Sequence, residues 1–346
     1  MCGIDTFIIA YILLVELTTS IHATWAGNLA LVTFTLGEII VAGMAYLCRD
    51  WLLLKWATTV CVLALVPYLL FIPETPHWLL TKHRYDELEI MLRQMARLNQ
   101  RAESKWFPLY RYMIDHHRKE KDNNRKNQIK LSFLAKIRRF LTHIPTMSKL
   151  LISSLLGFVT LFVYIKISYS LGAMREIDPY LSIIIGAVVE ACGYMVASSF
   201  MMRFGRKPVM ISFLIITAAC LLVQLLIDKQ HRLIVVVIAQ FGKFAISGTI
   251  CVTYILVPEL FPTSIRATGM GVFVLFSRIG STLAPIIDSM TSNNALFTMY
   301  SYYLYIGLTV LCVLVTLFLP ETRNVPLADK IDYHTKKNSR NSSNIN

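Results

Sequence analysis

Nine runs of about twenty mostly apolar residues, the length a helix needs to cross a hydrocarbon core, constrain this chain more than any other feature. They fall at Cys2–Ile21, Trp25–Leu47, Trp51–Ile72, Met147–Leu171, Pro179–Met201, Val209–Ile227, Leu233–Val257, Gly269–Met290 and Leu296–Leu319. The windows at Cys2 and Pro179 are the weakest, each carrying an acid. With 55% of its 346 residues hydrophobic and only 16% charged, the chain is too apolar for a soluble domain with an ordinary surface. The expectation is an all-α integral membrane protein with nine transmembrane helices and the lipid bilayer as an obligatory partner.

The charges say where the loops lie. A formal net charge of +13 would suit nucleic acid, but the basic residues do not line faces interleaved with aromatics. Half of the 34 Lys and Arg lie between Lys82 and Lys149, and the apolar runs are almost empty of them, as the positive-inside rule expects of a cytoplasmic loop. Counting spans from that loop puts Arg203, Arg206, Lys207, Arg266 and the stretch from Arg323 on the cytoplasmic side. Asp228–Arg232, basic yet expected outside, fits this count poorly. The segment Pro73–Thr146 reads as a hydrophilic linker holding an amphipathic helix at Asp86–Asn99. The resulting domain plan is 1–80, three spans; 81–146, a cytoplasmic basic linker; 147–328, a six-helix bundle; and 329–346, a polar, disordered cytoplasmic tail.

Catalytic and metal chemistry find no support. The seven cysteines are isolated in apolar runs, with no CxxC or Cys/His spacing, and read as small core residues. The histidines form no triad and sit beside no paired carboxylates at catalytic spacing. His116-His117 reads as part of a solvated charge run. No cofactor and no metal are expected, and nucleic acid is excluded as a partner. The N-terminus lacks the basic segment of a cleaved signal peptide.

The chain also matches itself. Thr19–Thr24 (TSIHAT) echoes Thr263–Thr268 (TSIRAT), and Pro73-Glu74-Thr75 echoes Pro320-Glu321-Thr322 at nearly the same offset. Spans one to three then correspond to spans seven to nine, and spans four to six have no counterpart. If the parent architecture is two parallel repeats of six spans, as in major facilitator carriers, three helices are missing at the front.

Four motifs carry a family resemblance: VPELFPTSIRATGMG at Val257–Gly271, IPETPHWLLTKHRYDEL at Ile72–Leu88, FGRKP at Phe204–Pro208 and LPETRNVPL at Leu319–Leu327. Together they resemble the organic cation/carnitine/organic anion transporters of the major facilitator superfamily, with the chain running from that family's fourth helix to its twelfth. Sugar porters share the PET and GRK elements individually. The resemblance implies a plasma-membrane secondary transporter that moves small organic ions or zwitterions by alternating access. The alternatives are a non-transporting truncated fragment, a regulatory partner of a full-length carrier, or a sugar-porter-like carrier. Oligomeric state is open.

Two groups of residues are candidates for function. At the cytoplasmic surface, Gly205 permits a tight turn, while Arg206, Lys207, Glu259, Glu16 and Arg266 can form a gate of exposed ion pairs, each contributing about 0.2–1 kcal/mol. The chain departs from the family at Met202, where an acid usually stands, and at His22, where a first-half copy would carry Arg. Within the spans, a charge costs about 2.5–3.5 kcal/mol on insertion scales and so requires a partner, water or substrate. Glu190 (VVEACGYM), Arg278 (FSRIGS), Lys166 and Lys243 are such charges. The resemblance implies that Glu190 attracts an ammonium and Arg278 a carboxylate; a bare Glu190/Arg278 ion pair is the structural alternative. Lys166 either snorkels to an interface or adds a second positive charge favouring anions. Tyr164 and Tyr254 match family aromatics able to hold a quaternary ammonium. Tyr300, Tyr302, Tyr303 and Tyr305 read as an interfacial belt.

Overall fold

The computed structural model describes residues 13–14, 18, 23–63, 74, 76–127, 144–172, 178–227, 232–261, 263–291, 295–319 and 321. Its helices are α1 (Ala23–Cys48), α2 (Trp51–Leu63), α3 (Pro76–Thr81), α4 (Tyr85–Leu98), α5 (Glu103–Asn127), α6 (Ile144–Gly172), α7 (Pro179–Phe204), α8 (Arg206–Leu226), α9 (Arg232–Leu260), α10 (Thr263–Thr291) and α11 (Ala295–Leu317). Seven of these, α1 and α6 to α11, are long and apolar enough to span a membrane. The expected nine-span count is therefore reached only in part. The third expected span is described only as the shorter apolar helix α2, and almost all of the first lies outside the described residues.

The chain divides into two compact units, residues 1–27 with 48–143, and residues 28–47 with 144–346. The first contains α2 to α5. The expected amphipathic helix at Asp86–Asn99 is α4, and it buries Leu88 and Met91 against Leu79 of α3 and Tyr110 and Ile114 of α5. The Tyr110 hydroxyl donates to the Tyr85 carbonyl at 2.9 Å and so pins α5 to the start of α4. On the polar side Arg93 bridges Glu89 and Glu103, each at 2.8 Å. The Glu89 carboxylate, accepting a hydrogen bond from Arg93, holds that guanidinium above its ordinary pKa.

The second unit is a helical bundle. Helix α6 packs on α10, α9 and α11; α9 also packs on α7 and α8, and α8 on α11. Small residues allow the closest crossings, as usual where helices meet without a hydrophobic driving force. A Cβ on Gly280 of α10 would run into the Phe158 carbonyl of α6, and one on Gly193 of α7 would lie 2.6 Å from the Phe244 carbonyl of α9. Several buried hydroxyls are satisfied within their own helices. Thr160 donates to the Leu156 carbonyl and Ser247 to the Lys243 carbonyl, both at 2.7 Å.

Helix ends are set locally. Asp178 accepts from the Tyr180 amide at 3.2 Å and Pro179 follows it, a cap and first-turn proline that start α7. Gly205, at φ +101°, is the sole residue between α7 and α8. A side chain there would enter the left-handed region at a cost of roughly 1–2 kcal/mol.

Candidate substrate-binding site

Among the described residues, the intramembrane charges of the second unit form two separate clusters, with Arg278 in neither. The first is built on Glu190 of α7, which is buried to 1% exposure. Its carboxylate accepts from the Tyr194 hydroxyl at 2.5 Å and from the Tyr164 hydroxyl at 2.9 Å, and lies 3.3 Å from Lys243 Nζ of α9. Lys243 reaches it because Gly186, one turn earlier on α7, leaves room: a Cβ there would sit 2.9 Å from Nζ. The ammonium also stands 5.7 Å from the Tyr164 ring centroid. Glu38 of α1 is within electrostatic reach of Glu190, Lys243 and Tyr164. It makes no ion pair or side-chain hydrogen bond among the described residues. Lys243 is thus paired with one acid and lies within electrostatic reach of a second.

This corrects the structural alternative raised by the sequence. Glu190 does not pair with Arg278; Lys243, on a helix packed directly against α7, takes that place. Arg278 lies on α10, its Nε buried without a hydrogen-bond partner among the described residues. Tyr254 of α9 is within reach of its charge and packs edge-on against Phe273 at 5.6 Å. Of the candidate residues, the fold thus joins Tyr164 to Glu190 and places Tyr254 near Arg278.

The second cluster corrects both fates expected for Lys166. The lysine neither snorkels out nor adds a free charge. It is buried, with Nζ 2.7 Å from Asp288 Oδ1 of α10, 4.8 Å from the Tyr302 ring centroid and 5.4 Å from that of Tyr305. The tyrosine belt accordingly splits. Tyr305 is fully buried, whereas Tyr300 and Tyr303 are exposed.

The surface motif forms a third group. Arg206 Nη2 and Nε reach Glu259 Oε1 and Oε2 at 3.0 and 3.2 Å, the bidentate geometry of an arginine-carboxylate pair. Glu321 Oε1 and Oε2 accept from the Arg206 and Lys207 amides at 2.9 and 3.0 Å, an anion satisfying the free amides at the start of α8. Lys207 Nζ donates to the Leu317 carbonyl at 2.6 Å, where α11 ends. The Arg206–Glu259 pair is only 14% and 22% exposed, not the exposed pair expected. Its described members all belong to the second unit. Glu16 and the Arg266 side chain lie outside the described residues.

Sequence reasoning missed Glu38, Tyr194, Asp288, Tyr302, Tyr305 and Glu321 as partners. Glu38 carries the same signal that flagged Glu190, an acid inside an apolar run. Asp288 lies close to the end of its window, where a charge passes as interfacial. Glu321 sits in the noticed PET motif, but nothing local points to the start of a distant helix.

The description "Sugar (and other) transporter" matches residues 22–332. The chain belongs to this transporter family. Among curated relatives, human solute carrier family 22 member 13 is 30% identical over 308 residues, covering 89% of this chain and 52% of the relative. Human organic cation/carnitine transporter 2 is 27% identical, covering 96% and 57%. The Drosophila melanogaster organic cation transporter protein is 26% identical, covering 94% and 58%. The resemblance to organic cation/carnitine/organic anion transporters thus stands on most of the chain, which spans about half the length of these relatives. Its relatives are transporters, and this family member is not an enzyme. Among solved structures, the proton:xylose symporter XylE bound to 6-bromo-6-deoxy-D-glucose aligns with TM-score 0.73 at 18% identity, covering 93% of this chain and 69% of that one. Inward-open XylE from E. coli aligns at 0.60 and 17%, covering 92% and 67%. These likenesses establish the all-helical major facilitator fold of this transporter-family chain.

Proposed function

We propose that the protein is a secondary transporter for small organic ions, favouring zwitterions of the carnitine type, and works by alternating access. Its spans correspond to helices four to twelve of a twelve-helix carrier, in the plasma membrane, with the linker at 81–146 and the tail at 329–346 cytoplasmic. The observation that carries the reading is the separation of two unlike charges in the second unit. Glu38, Glu190 and Lys243 sum to one formal negative charge, while Arg278 stands apart on α10 with Nε unpartnered among the described residues. An ammonium group would be held at the acidic cluster, against Tyr164 by cation-π attraction of about 0.5–2 kcal/mol. A carboxylate would bind the Arg278 fork, beside Tyr254. Glu190 is already occupied by three donors, which makes Glu38 the more available acid.

The surface group serves as the cytoplasmic gate, with Gly205, Arg206, Lys207 and Glu259 holding the ends of α8 and α9, and Glu16 and Arg266 as its further members. Uptake of a labelled carnitine-like zwitterion, an organic cation, an organic anion and xylose by cells expressing the chain tests the assignment. The zwitterion is expected to accumulate; uptake of xylose alone would favour a sugar carrier. No uptake of any probe despite surface expression would overturn the carrier reading in favour of a regulatory role. Arg278→Asp is expected to shift preference toward cations, and unchanged anion uptake in that variant would remove Arg278 from the site.

A further inference from the structure

The surroundings of Lys166 have the composition of a receptor for an organic ammonium ion. One carboxylate, Asp288, lies at 2.7 Å, and two tyrosine rings, Tyr302 and Tyr305, lie at 4.8 and 5.4 Å from the same nitrogen. The Tyr305 hydroxyl is directed at the same Asp288 oxygen, at 3.5 Å. A counter-charge for Coulomb attraction and aromatic faces for cation-π attraction are what a desolvated ammonium requires. The cage comes from two helices, α10 and α11, and the lysine that enters it from a third, α6, so the arrangement is a product of the folded bundle. A simple compensating ion pair needs Asp288 alone; the two rings add recognition that a bare pair does not need.

We infer that Asp288, Tyr302 and Tyr305 form a second ammonium-binding site, and that Lys166 is its tethered occupant. The lysine fills the cage with the chain's own cation and closes it to external amines. Lys166 is then a specificity-determining residue that excludes organic cations from this end of α10. The inference concerns equilibrium binding and does not depend on the Glu38, Glu190 or Arg278 reading; a chain that failed to transport would leave it untouched.

The test is binding of n-propylammonium, the portion of the lysine side chain removed by Lys166→Ala, to the whole 346-residue chain in detergent. Lys166→Ala is expected to bind this amine at least tenfold more tightly than the parent protein and to ignore n-propanol, which has the same chain without the charge. Adding Asp288→Asn is expected to abolish the gain, and Tyr302→Leu to reduce it several-fold. Equal amine binding by Lys166→Ala and the parent, or an equal response to n-propanol, would overturn the inference. If Lys166→Ala does not fold alone, it is purified with n-propylammonium present. Recovery of folded protein with the amine but not with n-propanol supports the site; no recovery with either overturns it.

Discussion

Lys243 and Lys166 are both lysines buried in spanning helices, yet their surroundings differ in charge balance. Lys243 pairs with Glu190 and has Glu38 within electrostatic reach, so its cluster holds a second acid. Lys166 meets Asp288 one to one and is packed against two aromatic rings. The first arrangement has redundancy, a property suited to exchanging partners. The second is neutral and closed, as a structural clamp or a self-occupied site must be. A buried charge in a span is therefore not one kind of signal; the partner count decides what it can do.

Breaking the closed cluster should have the largest effect. Asp288→Leu alone leaves the Lys166 ammonium buried without its counter-charge, at an expected cost of about 3–5 kcal/mol. Lys166→Met/Asp288→Leu should recover most of that loss. Thermal unfolding of the two single variants and the double variant gives the coupling, and an additive cycle would show that the pair is not a unit.

Breaking the redundant cluster should cost less. Glu190→Gln removes the direct partner of Lys243, but the Glu38 carboxylate remains within reach; the glutamine oxygen keeps an acceptor for one of the two tyrosine hydroxyls, and its amide can donate to the other. A loss of about 1–3 kcal/mol is expected. If Glu190→Gln proves as damaging as Asp288→Leu in the same unfolding assay, the distinction between the clusters fails.

The smallest effect is expected from crowding the lysine without removing charge. Gly186→Ala places a methyl 2.9 Å from Lys243 Nζ, and a flexible side-chain end can yield. The helix gains up to about 1 kcal/mol from replacing glycine, so net stability should stay within about 1 kcal/mol of the parent. Binding of a zwitterion should change more than stability does, because the ammonium of Lys243 moves relative to Glu190; calorimetry on the variant measures both.

The sequence disclosed spans more readily than partners, for a physical reason. An apolar run announces itself in twenty contiguous residues, so the windows from Met147 to Leu319 coincide closely with α6 to α11. The amphipathic period of α4 was equally local. Glu190, Lys243 and Lys166 were also visible, since a charge in an apolar run needs no context to be noticed. Their pairings were not visible, because they depend on which helices pack side by side. Arg278 seemed the natural partner for Glu190 by charge alone, but α9 packs directly against α7 and supplies Lys243. The Arg206–Glu259 pair was legible as a motif, whereas the Glu321 cap of α8 joins positions 115 residues apart.

The contact between Lys166 and Asp288 spans 122 residues of chain, and this distance carries a consequence for synthesis. At about 5–20 residues per second, translation of that interval takes roughly 6–24 s. During that time α6 has entered the bilayer with a lysine whose carboxylate has not yet been made. The nascent segment must either hold its ammonium at the translocon or the lipid headgroups, or enter the hydrocarbon uncharged. Assembly of the bundle is thus timed by α10, and slowing translation between the two residues should lengthen the life of a half-inserted intermediate.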